Sequence, residues 1–164
     1  MPDNKYLITV VGATAIGKTA LSIQLAQHFK TEIISCDSRQ FYKEMTIGTA
    51  VPNSDELNAV THHFIQNRSI TEDYNVGQYE RDALEKLDEL FLKHKTVIMV
   101  GGSGLYVDAV LKGLNYFLDV LPEIRQQLNK ELEENGLNSL QYQLKKLDLE
   151  SYNSIESENI HRVI

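Results

Sequence analysis

The stretch Gly12-Ala13-Thr14-Ala15-Ile16-Gly17-Lys18-Thr19 decides the fold of this 164-residue chain. It matches the complete pattern G-x-x-x-x-G-K-[ST] of a phosphate-binding loop. The preceding run from Tyr6 to Val11 is apolar and β-branched, which predicts a buried strand. After the loop, apolar side chains recur at helical spacing, at Leu21, Leu25, Ala26 and Phe29. The motif therefore lies between a predicted strand and a predicted helix over residues 18–29, the setting that such a loop requires.

The residue types of this loop suit a phosphate ligand better than a glycine-rich turn that binds nothing. Gly12 and Gly17 allow backbone conformations that a Cβ atom resists, so successive N–H groups can point at an anion. The positive N-terminal end of the following helix adds to that attraction. Lys18 can reach a terminal phosphate, and the Thr19 hydroxyl can bind a magnesium ion shared with it. The predicted phosphate-binding residues are Gly12, Ala13, Thr14, Ala15, Ile16, Gly17, Lys18 and Thr19.

Composition restricts the class of protein. Neither a membrane-spanning apolar stretch nor a signal-peptide pattern is visible in the sequence. The single Cys36 rules out an internal disulfide, which favours a reducing, cytoplasmic location. The formal net charge of −7 argues against broad, sequence-independent nucleic-acid binding, which needs a basic surface, but it allows a nucleic acid held at one locally basic cleft.

Further elements follow the first helix in alternation. Apolar runs predict strands over residues 32–36 and 96–100, and amphipathic spacing predicts helices over residues 75–94 and 105–111. Residues 53–73 carry no clear pattern. Alternating strands and helices predict an α/β core over residues 1–113, with a parallel sheet and helices on both of its faces. Because only three strands are visible, we expect the strand before the phosphate loop at an uncovered edge of the sheet.

The character of the chain changes after Gly113. Ile124, Leu128 and Leu132 repeat at helical spacing among many charges, residues 137–147 predict another helix, and residues 148–164 predict the beginning of a third. We interpret residues 114–164 as a helical segment distinct from the sheet core. The chain stops at Ile164 without a capping or turn signal, so we expect an incomplete protein.

Two loops are expected beside the phosphate loop, because ligands of parallel sheets gather at the carboxyl ends of the strands. Asp37 directly follows an apolar strand, so its carboxylate can act as a general base or magnesium partner; the alternative is a cap on the next turn. The loop from Gly101 to Gly104 offers one hydroxyl and close backbone approach, which suits a substrate contact; the alternative is a plain glycine turn. His62 and His63 are adjacent, cannot bind one metal from one face of a strand, and are interpreted as structural or polar surface residues.

These motifs together resemble the tRNA dimethylallyltransferase family, whose fold is a P-loop NTPase-like α/β core with a helical insertion. Besides the phosphate loop, the matching segments are Asp37-Ser38-Arg39-Gln40-Phe41-Tyr42, Ile47-Gly48-Thr49-Ala50, His62-His63 and Val100-Gly101-Gly102-Ser103-Gly104-Leu105-Tyr106. The family's chains continue well beyond Ile164, so the resemblance implies that this sequence is an N-terminal half. Residues 114–164 then form the start of the family's helical, tRNA-binding insertion.

The resemblance implies a reaction and its participants. A dimethylallyl group passes from dimethylallyl diphosphate to N6 of an adenine beside the tRNA anticodon, with Mg²⁺ as cofactor and the anticodon stem-loop as the bound partner of a monomeric enzyme. It implies Asp37, Lys18 and Ser103 as catalytic residues, Asp37 being the base, and Thr19 as the metal ligand. The tRNA contacts that it implies are Asp37, Ser38, Arg39, Gln40, Ser103, Arg125, His161 and Arg162.

Three other functions fit parts of the sequence. A related isopentenyltransferase that acts on free adenine nucleotides shares the core, although the start of a helical insertion favours tRNA. A small-molecule kinase would use the loop to bind ATP, but it gives Asp37-Ser38-Arg39-Gln40 no necessary role. A non-catalytic nucleotide-binding remnant would keep the loop and lose the chemistry.

Overall fold

Parallel strand pairing organises the first part of the molecule. The computed structural model describes residues 4–114 and 121–164. Within residues 4–114, four strands form one parallel sheet in the order β1-β4-β2-β3. The strands are β1 Tyr6–Val11, β2 Ile33–Ser35, β3 His62–His63 and β4 Thr96–Gly101. Since every pair is parallel, the carboxyl ends of the strands meet at one edge of the sheet, where the site forms.

Side-chain alternation along the strands divides the core between two faces. On one face, Val10, Ile33 and Ile98 pack with Ala26 of α1 (Lys18–Phe29). On the other face, the strand side chains pack against α3 (Val76–Phe91) and Val107 of α4 (Gly104–Lys112). This second cluster contains Ile34 of β2, Cys36 directly after β2, and Val97 and Met99 of β4. The predicted parallel sheet with helices on both faces is therefore confirmed.

Two elements of the sheet region were not predicted from the sequence. One is β3, whose two residues are too few to produce an apolar pattern. The other is α2 (Ser54–Ala59), which begins with a capping box between Asn53 and Glu56. That N-x-x-E signal was present in the sequence and could have located the helix start. The expectation of three strands was thus wrong by one, whereas the edge position of β1 is confirmed among the described residues, since β1 pairs there with β4 alone.

The chain divides into two compact units, Met1–Asn115 and Tyr116–Ile164. The described part of the second unit contains α5 Pro122–Asn135, α6 Leu137–Leu147, α7 Leu149–Ser154 and α8 Ile160–Val163. The predicted helix beginning after Asp148 is two short helices, because the Asp148 side chain caps α7 and Asn159 caps α8. Residues 115–120 of the predicted helical segment, and residues 1–3 of the predicted core, lie outside the described residues. Across the described ranges, every helix is too short or too polar to cross a membrane.

Candidate functional site

The carboxyl ends of the strands form a cleft of about 260 Å³ within the first unit. The phosphate loop follows β1, Asp37 follows β2, and Gly101 ends β4, so the sheet order brings the three predicted loops together. The residues lining the cleft are Thr14, Ala15, Gly17, Lys18, Thr19, Ala20, Ser35, Asp37, Gln40, Ala50, Pro52, Glu56, His62, Ile65, Val100 and Gly101. The cleft therefore combines a phosphate-binding end, the carboxylates of Asp37 and Glu56 and several apolar side chains.

The phosphate loop has the backbone that its glycines allow. Gly12 and Gly17 have φ angles of 150° and 95°, in the region that favours glycine, and α1 begins directly afterwards at Lys18. The Lys18 ammonium donates hydrogen bonds to the carbonyl oxygens of Gly12 and Ala13, at 2.9 and 2.8 Å. Lys18 therefore closes over its own loop, where a bound anion can meet both the ammonium and the N-terminal end of α1.

Asp37 is held at the cleft by a compact turn. The N–H of Cys36 donates to the Val100 carbonyl at 2.8 Å, which extends the pairing of β2 with β4 up to the turn. The Asp37 carboxylate accepts a hydrogen bond from the Arg39 N–H at 3.2 Å through Oδ1. One oxygen of the Asp37 carboxylate therefore caps the turn, which is the alternative role that the sequence allowed. The side chain also lines the cleft, together with Lys18 and Thr19.

Gly101 permits the close approach of β4 to this turn. A Cβ atom added at residue 101 would lie 2.5 Å from Cys36 Sγ, 2.7 Å from Cys36 C and 2.9 Å from Asp37 N. Two of these three atoms belong to the backbone and cannot rotate away. A side chain at residue 101 would therefore displace the turn that carries Asp37.

Ser103 reaches the same turn from the loop after β4. Its hydroxyl accepts a hydrogen bond from the Ser38 N–H at 3.1 Å and lies 3.2 Å from the Ser38 hydroxyl. From α3, the hydroxyl of the buried Tyr79 donates a hydrogen bond to the Ser35 carbonyl at 2.9 Å. Hydrogen bonds from two separate elements therefore hold the turn and the strand end that precedes it.

Burial alters the acidity of groups around the cleft. It raises the pKa of the Cys36 thiol to about 12, with a further contribution from the Asp37 charge, so Cys36 stays protonated and is a poor nucleophile. It also lowers the pKa of His62. The His62 Nδ1 lies 2.8 Å from the Val60 carbonyl, which can only accept, so Nδ1 carries the proton of the neutral ring.

Several residues that line the cleft were not identified from the sequence. Pro52, Glu56 and Ile65 come from residues 53–73 or the loop just before them, where local patterns are weak. His62 also lines the cleft, whereas the His63 ring pairs with Glu32 at 2.7 Å. The pairing of β3 with β2 places His62 at this edge of the sheet.

Three of the predicted tRNA contacts belong to the second unit. Arg125 lies on α5, and His161 and Arg162 lie on α8; all three side chains are exposed. The Arg162 Nε is 3.7 Å from a carboxylate oxygen of Glu156. Arg39 of the first unit is exposed as well.

The oxygen donors of the cleft suit magnesium. Thr19 contributes a hydroxyl and Asp37 a carboxylate, and Mg²⁺ prefers such hard oxygen ligands. Among residues 4–114 and 121–164, no three His, Cys, Asp or Glu side chains gather as a metal site. That arrangement still fits Mg²⁺, because this ion is usually bound by one or two protein ligands together with the phosphates of a substrate.

A phosphate-binding loop between the first strand and the first helix of a parallel sheet defines the class of P-loop α/β proteins. Within that class, a family model described as IPP transferase matches residues 40–164. The chain therefore belongs to the IPP transferase family.

Curated relatives extend this finding. The chain is 63% identical over 155 residues to the tRNA dimethylallyltransferase of Flavobacterium johnsoniae, covering 94% of this chain and 50% of that protein. It is 59% identical over 161 residues to the tRNA dimethylallyltransferase of Christiangramia forsetii, covering 98% and 53%. The chain thus spans about half the length of the curated relatives it matches.

Solved structures agree with the fold. The full-length tRNA isopentenylpyrophosphate transferase of Bacillus halodurans is 33% identical with a TM-score of 0.66, over 98% of this chain and 53% of that one. A eukaryotic dimethylallyltransferase acting on tRNA is 28% identical with a TM-score of 0.80, over 98% of this chain and 40% of that one.

Proposed function

We propose that this chain carries the donor-binding and catalytic part of an enzyme that transfers a dimethylallyl group from dimethylallyl diphosphate to N6 of a tRNA adenine next to the anticodon, in the cytoplasm. The observation that carries the proposal is the shared cleft of Lys18, Thr19 and Asp37, which puts a phosphate-binding loop beside a carboxylate. The names of the curated relatives support the same activity.

Asp37 is the proposed general base. The lone pair of the adenine amino group is delocalised into the ring, so N6 attacks efficiently only if it loses a proton as it forms the new bond. In the proposed reaction, N6 bonds to C1 of the dimethylallyl group, the C–O bond to diphosphate breaks, and the N6 proton passes to Asp37. Positioned acid–base groups of this kind contribute about 10²- to 10⁴-fold to a rate.

The phosphate loop is the proposed holder of the donor and of the leaving diphosphate. Its backbone N–H groups and the Lys18 ammonium can stabilise the charge that grows on diphosphate as the C–O bond breaks. Magnesium, bound through Thr19 and the phosphates, would supply further neutralisation of that charge. Because Lys18 already donates to loop carbonyls, a bound diphosphate would exchange these hydrogen bonds for charged ones.

The tRNA contacts are proposed along the turn after β2 and in the second unit. Ser38, Arg39, Gln40 and Ser103 lie on or beside the turn that presents Asp37, where an adenine must enter after leaving its stack. Arg125, His161 and Arg162 are exposed side chains of the second unit that can meet a phosphate backbone. Localised contacts of this type are compatible with the net charge of −7.

The deciding experiment is prenyl transfer itself. Labelled dimethylallyl diphosphate and Mg²⁺ are incubated with unmodified tRNA, AMP or ATP. The protein is either the 164-residue chain or this chain joined at Ile164 to the C-terminal half of the Flavobacterium johnsoniae relative. We expect label on tRNA with the extended chain. A tRNA variant that lacks the adenine beside the anticodon is the matched control and should remain unlabelled.

Other outcomes point to other functions. Label on AMP or ATP would assign the chain to enzymes that prenylate free adenine nucleotides. Tight ATP binding without any prenyl transfer would contradict the proposal and favour a kinase. Diphosphate binding without transfer, unchanged when Asp37 is replaced, would indicate a non-catalytic nucleotide-binding protein.

A further inference from the structure

The side-chain amide of Gln40 makes three hydrogen bonds within the protein. Its Nε2 donates to the carbonyl oxygens of Thr49 and Ala50, at 3.1 and 2.9 Å. Its Oε1 accepts from the Ser35 hydroxyl at 3.3 Å. One side chain therefore connects the end of β2 with the irregular segment that contains residues 49 and 50.

The backbone of Gln40 connects two further segments. Its N–H donates to the Asp37 carbonyl at 3.0 Å, and its carbonyl accepts from the Gln66 N–H at 2.8 Å. The segments joined in this way supply Ser35, Asp37, Ala50 and Ile65 to the cleft. Gln40 is thus the common hydrogen-bond partner of these cleft walls outside the phosphate loop.

The connected walls include strained backbone. Ala50, Phe64 and Gln66 have φ angles of 51°, 61° and 48°, although none of them is glycine. Such conformations persist only where the surrounding structure enforces them, and they concentrate at functional sites. The hydrogen bonds of Gln40 act directly on two of these positions, the Ala50 carbonyl and the Gln66 N–H.

The walls that Gln40 joins are partly apolar. Ala50, Pro52, Ile65 and Val100 face the same cleft as the phosphate-binding residues. A prenyl diphosphate needs this combination, because its diphosphate requires cationic and N–H groups while its hydrocarbon requires an apolar surface. A wall fixed by hydrogen bonds can exclude a longer hydrocarbon, since one extra or missing methylene group in an apolar pocket changes discrimination by about 10- to 200-fold.

We propose that Gln40 is a positioning residue that fixes this apolar wall and thereby sets the preference for a five-carbon over a longer prenyl diphosphate. The inference rests on the proposed function, since it assumes that the cleft binds a prenyl diphosphate. It assigns the Gln40 side chain a role in donor selection through the segment that contains Ala50, since the link to the Ile65 segment is made by the Gln40 backbone carbonyl.

The test compares two matched substitutions in the 164-residue chain. Gln40→Met keeps the approximate shape of the side chain and removes all three side-chain hydrogen bonds. Gln66→Met makes the same chemical change next to Ile65, where the Gln66 Nε2 donates to the Thr46 hydroxyl at 2.9 Å and the side chain does not line the cleft. Calorimetry measures the Kd of dimethylallyl diphosphate, geranyl diphosphate and inorganic diphosphate for each protein.

We expect Gln40→Met to reduce the preference for dimethylallyl over geranyl diphosphate by about tenfold, within the range known for hydrocarbon discrimination. The Kd of inorganic diphosphate should stay unchanged, because that ligand needs only the phosphate loop. Gln66→Met should keep the wild-type preference. If Gln40→Met fails to fold, Gln40→Asn retains an amide that is too short to reach both carbonyls, and the same loss is expected.

Failure of this inference and failure of the proposed function give different results. If the wild-type chain prefers dimethylallyl diphosphate and the Gln40 variants keep that preference, the role of Gln40 is overturned and the proposed function stands. If the wild-type chain binds inorganic diphosphate as tightly as dimethylallyl diphosphate, or binds neither, the prenyl-donor function itself is contradicted.

Discussion

At the scale of single residues, Gly101 permits the close approach of β4 to the turn after β2. We predict that Gly101→Ala lowers the free energy of unfolding by about 1–3 kcal/mol, the usual cost of overpacking, because the new methyl group meets the backbone of Cys36 and Asp37. Urea unfolding of the 164-residue chain measures the change. Gly104→Ala is the control, since a Cβ atom there meets nothing within 4 Å. Equal stability of the two variants would contradict the close approach.

At the same scale, the prediction about enzymatic activity concerns Asp37. Asp37→Asn keeps the size of the side chain but removes the proton acceptor, so we expect prenyl transfer by the extended chain to fall by about 10²-fold or more. Initial rates with labelled donor and tRNA measure the fall. Inorganic diphosphate should still bind the variant. Asp55→Asn, on the exposed first turn of α2, should keep the wild-type rate; a full rate for Asp37→Asn would exclude it as the base.

At the scale of elements, α3 packs on one face of the sheet and supports the site from there. The helix begins with a capping box in which the Asn75 side chain accepts from the Gln78 N–H at 3.0 Å, and the Gln78 side chain accepts from the Asn75 N–H at 2.8 Å. One turn later, Tyr79 donates to the Ser35 carbonyl and stacks on Phe41 with ring centroids 5.0 Å apart. The helix start is therefore coupled to the strand end that precedes Asp37.

We predict that Asn75→Ala lowers the free energy of unfolding by about 1 kcal/mol, the typical cost of losing an N-cap. Asn58→Ala makes the same substitution at an exposed position in the last turn of α2 and should be neutral, or slightly stabilising because alanine favours helix. Thermal and urea unfolding of both variants provide the comparison. A neutral Asn75→Ala would mean that packing of α3, rather than its cap, fixes the helix start.

At the scale of the whole molecule, β1 is an edge strand within the described residues, with Tyr6 56% exposed. Unpaired strand edges promote association between molecules, and lysine on an edge opposes it. We predict that Tyr6→Lys reduces light scattering of the concentrated 164-residue chain. Tyr142→Lys changes the net charge equally at a side chain that is 71% exposed on α6, away from the edge. Equal effects of the two variants would attribute the change to net charge alone.

Local sequence patterns predicted those strands and helices that are determined by residues close together in the chain. The strand Tyr6–Val11, the helix Lys18–Phe29 and the strand beginning at Thr96 were located from apolar runs and helical spacing, and the structure confirms them. The phosphate loop was located from its motif, because its function depends on consecutive backbone groups. The short strand His62–His63 left no such pattern, since two residues cannot show a period.

The sequence by itself determined the phosphate loop, the alternation of strands and helices and, through the resemblance, the family. Only the tertiary structure decided that β4 lies between β1 and β2, that His62 and Ile65 line the cleft, and that the Gln40 amide binds the carbonyls of Thr49 and Ala50. Motifs and periodicity arise from contacts over a few residues. The walls of the cleft arise from hydrogen bonds and strand pairing between segments far apart in the chain, which no local pattern records.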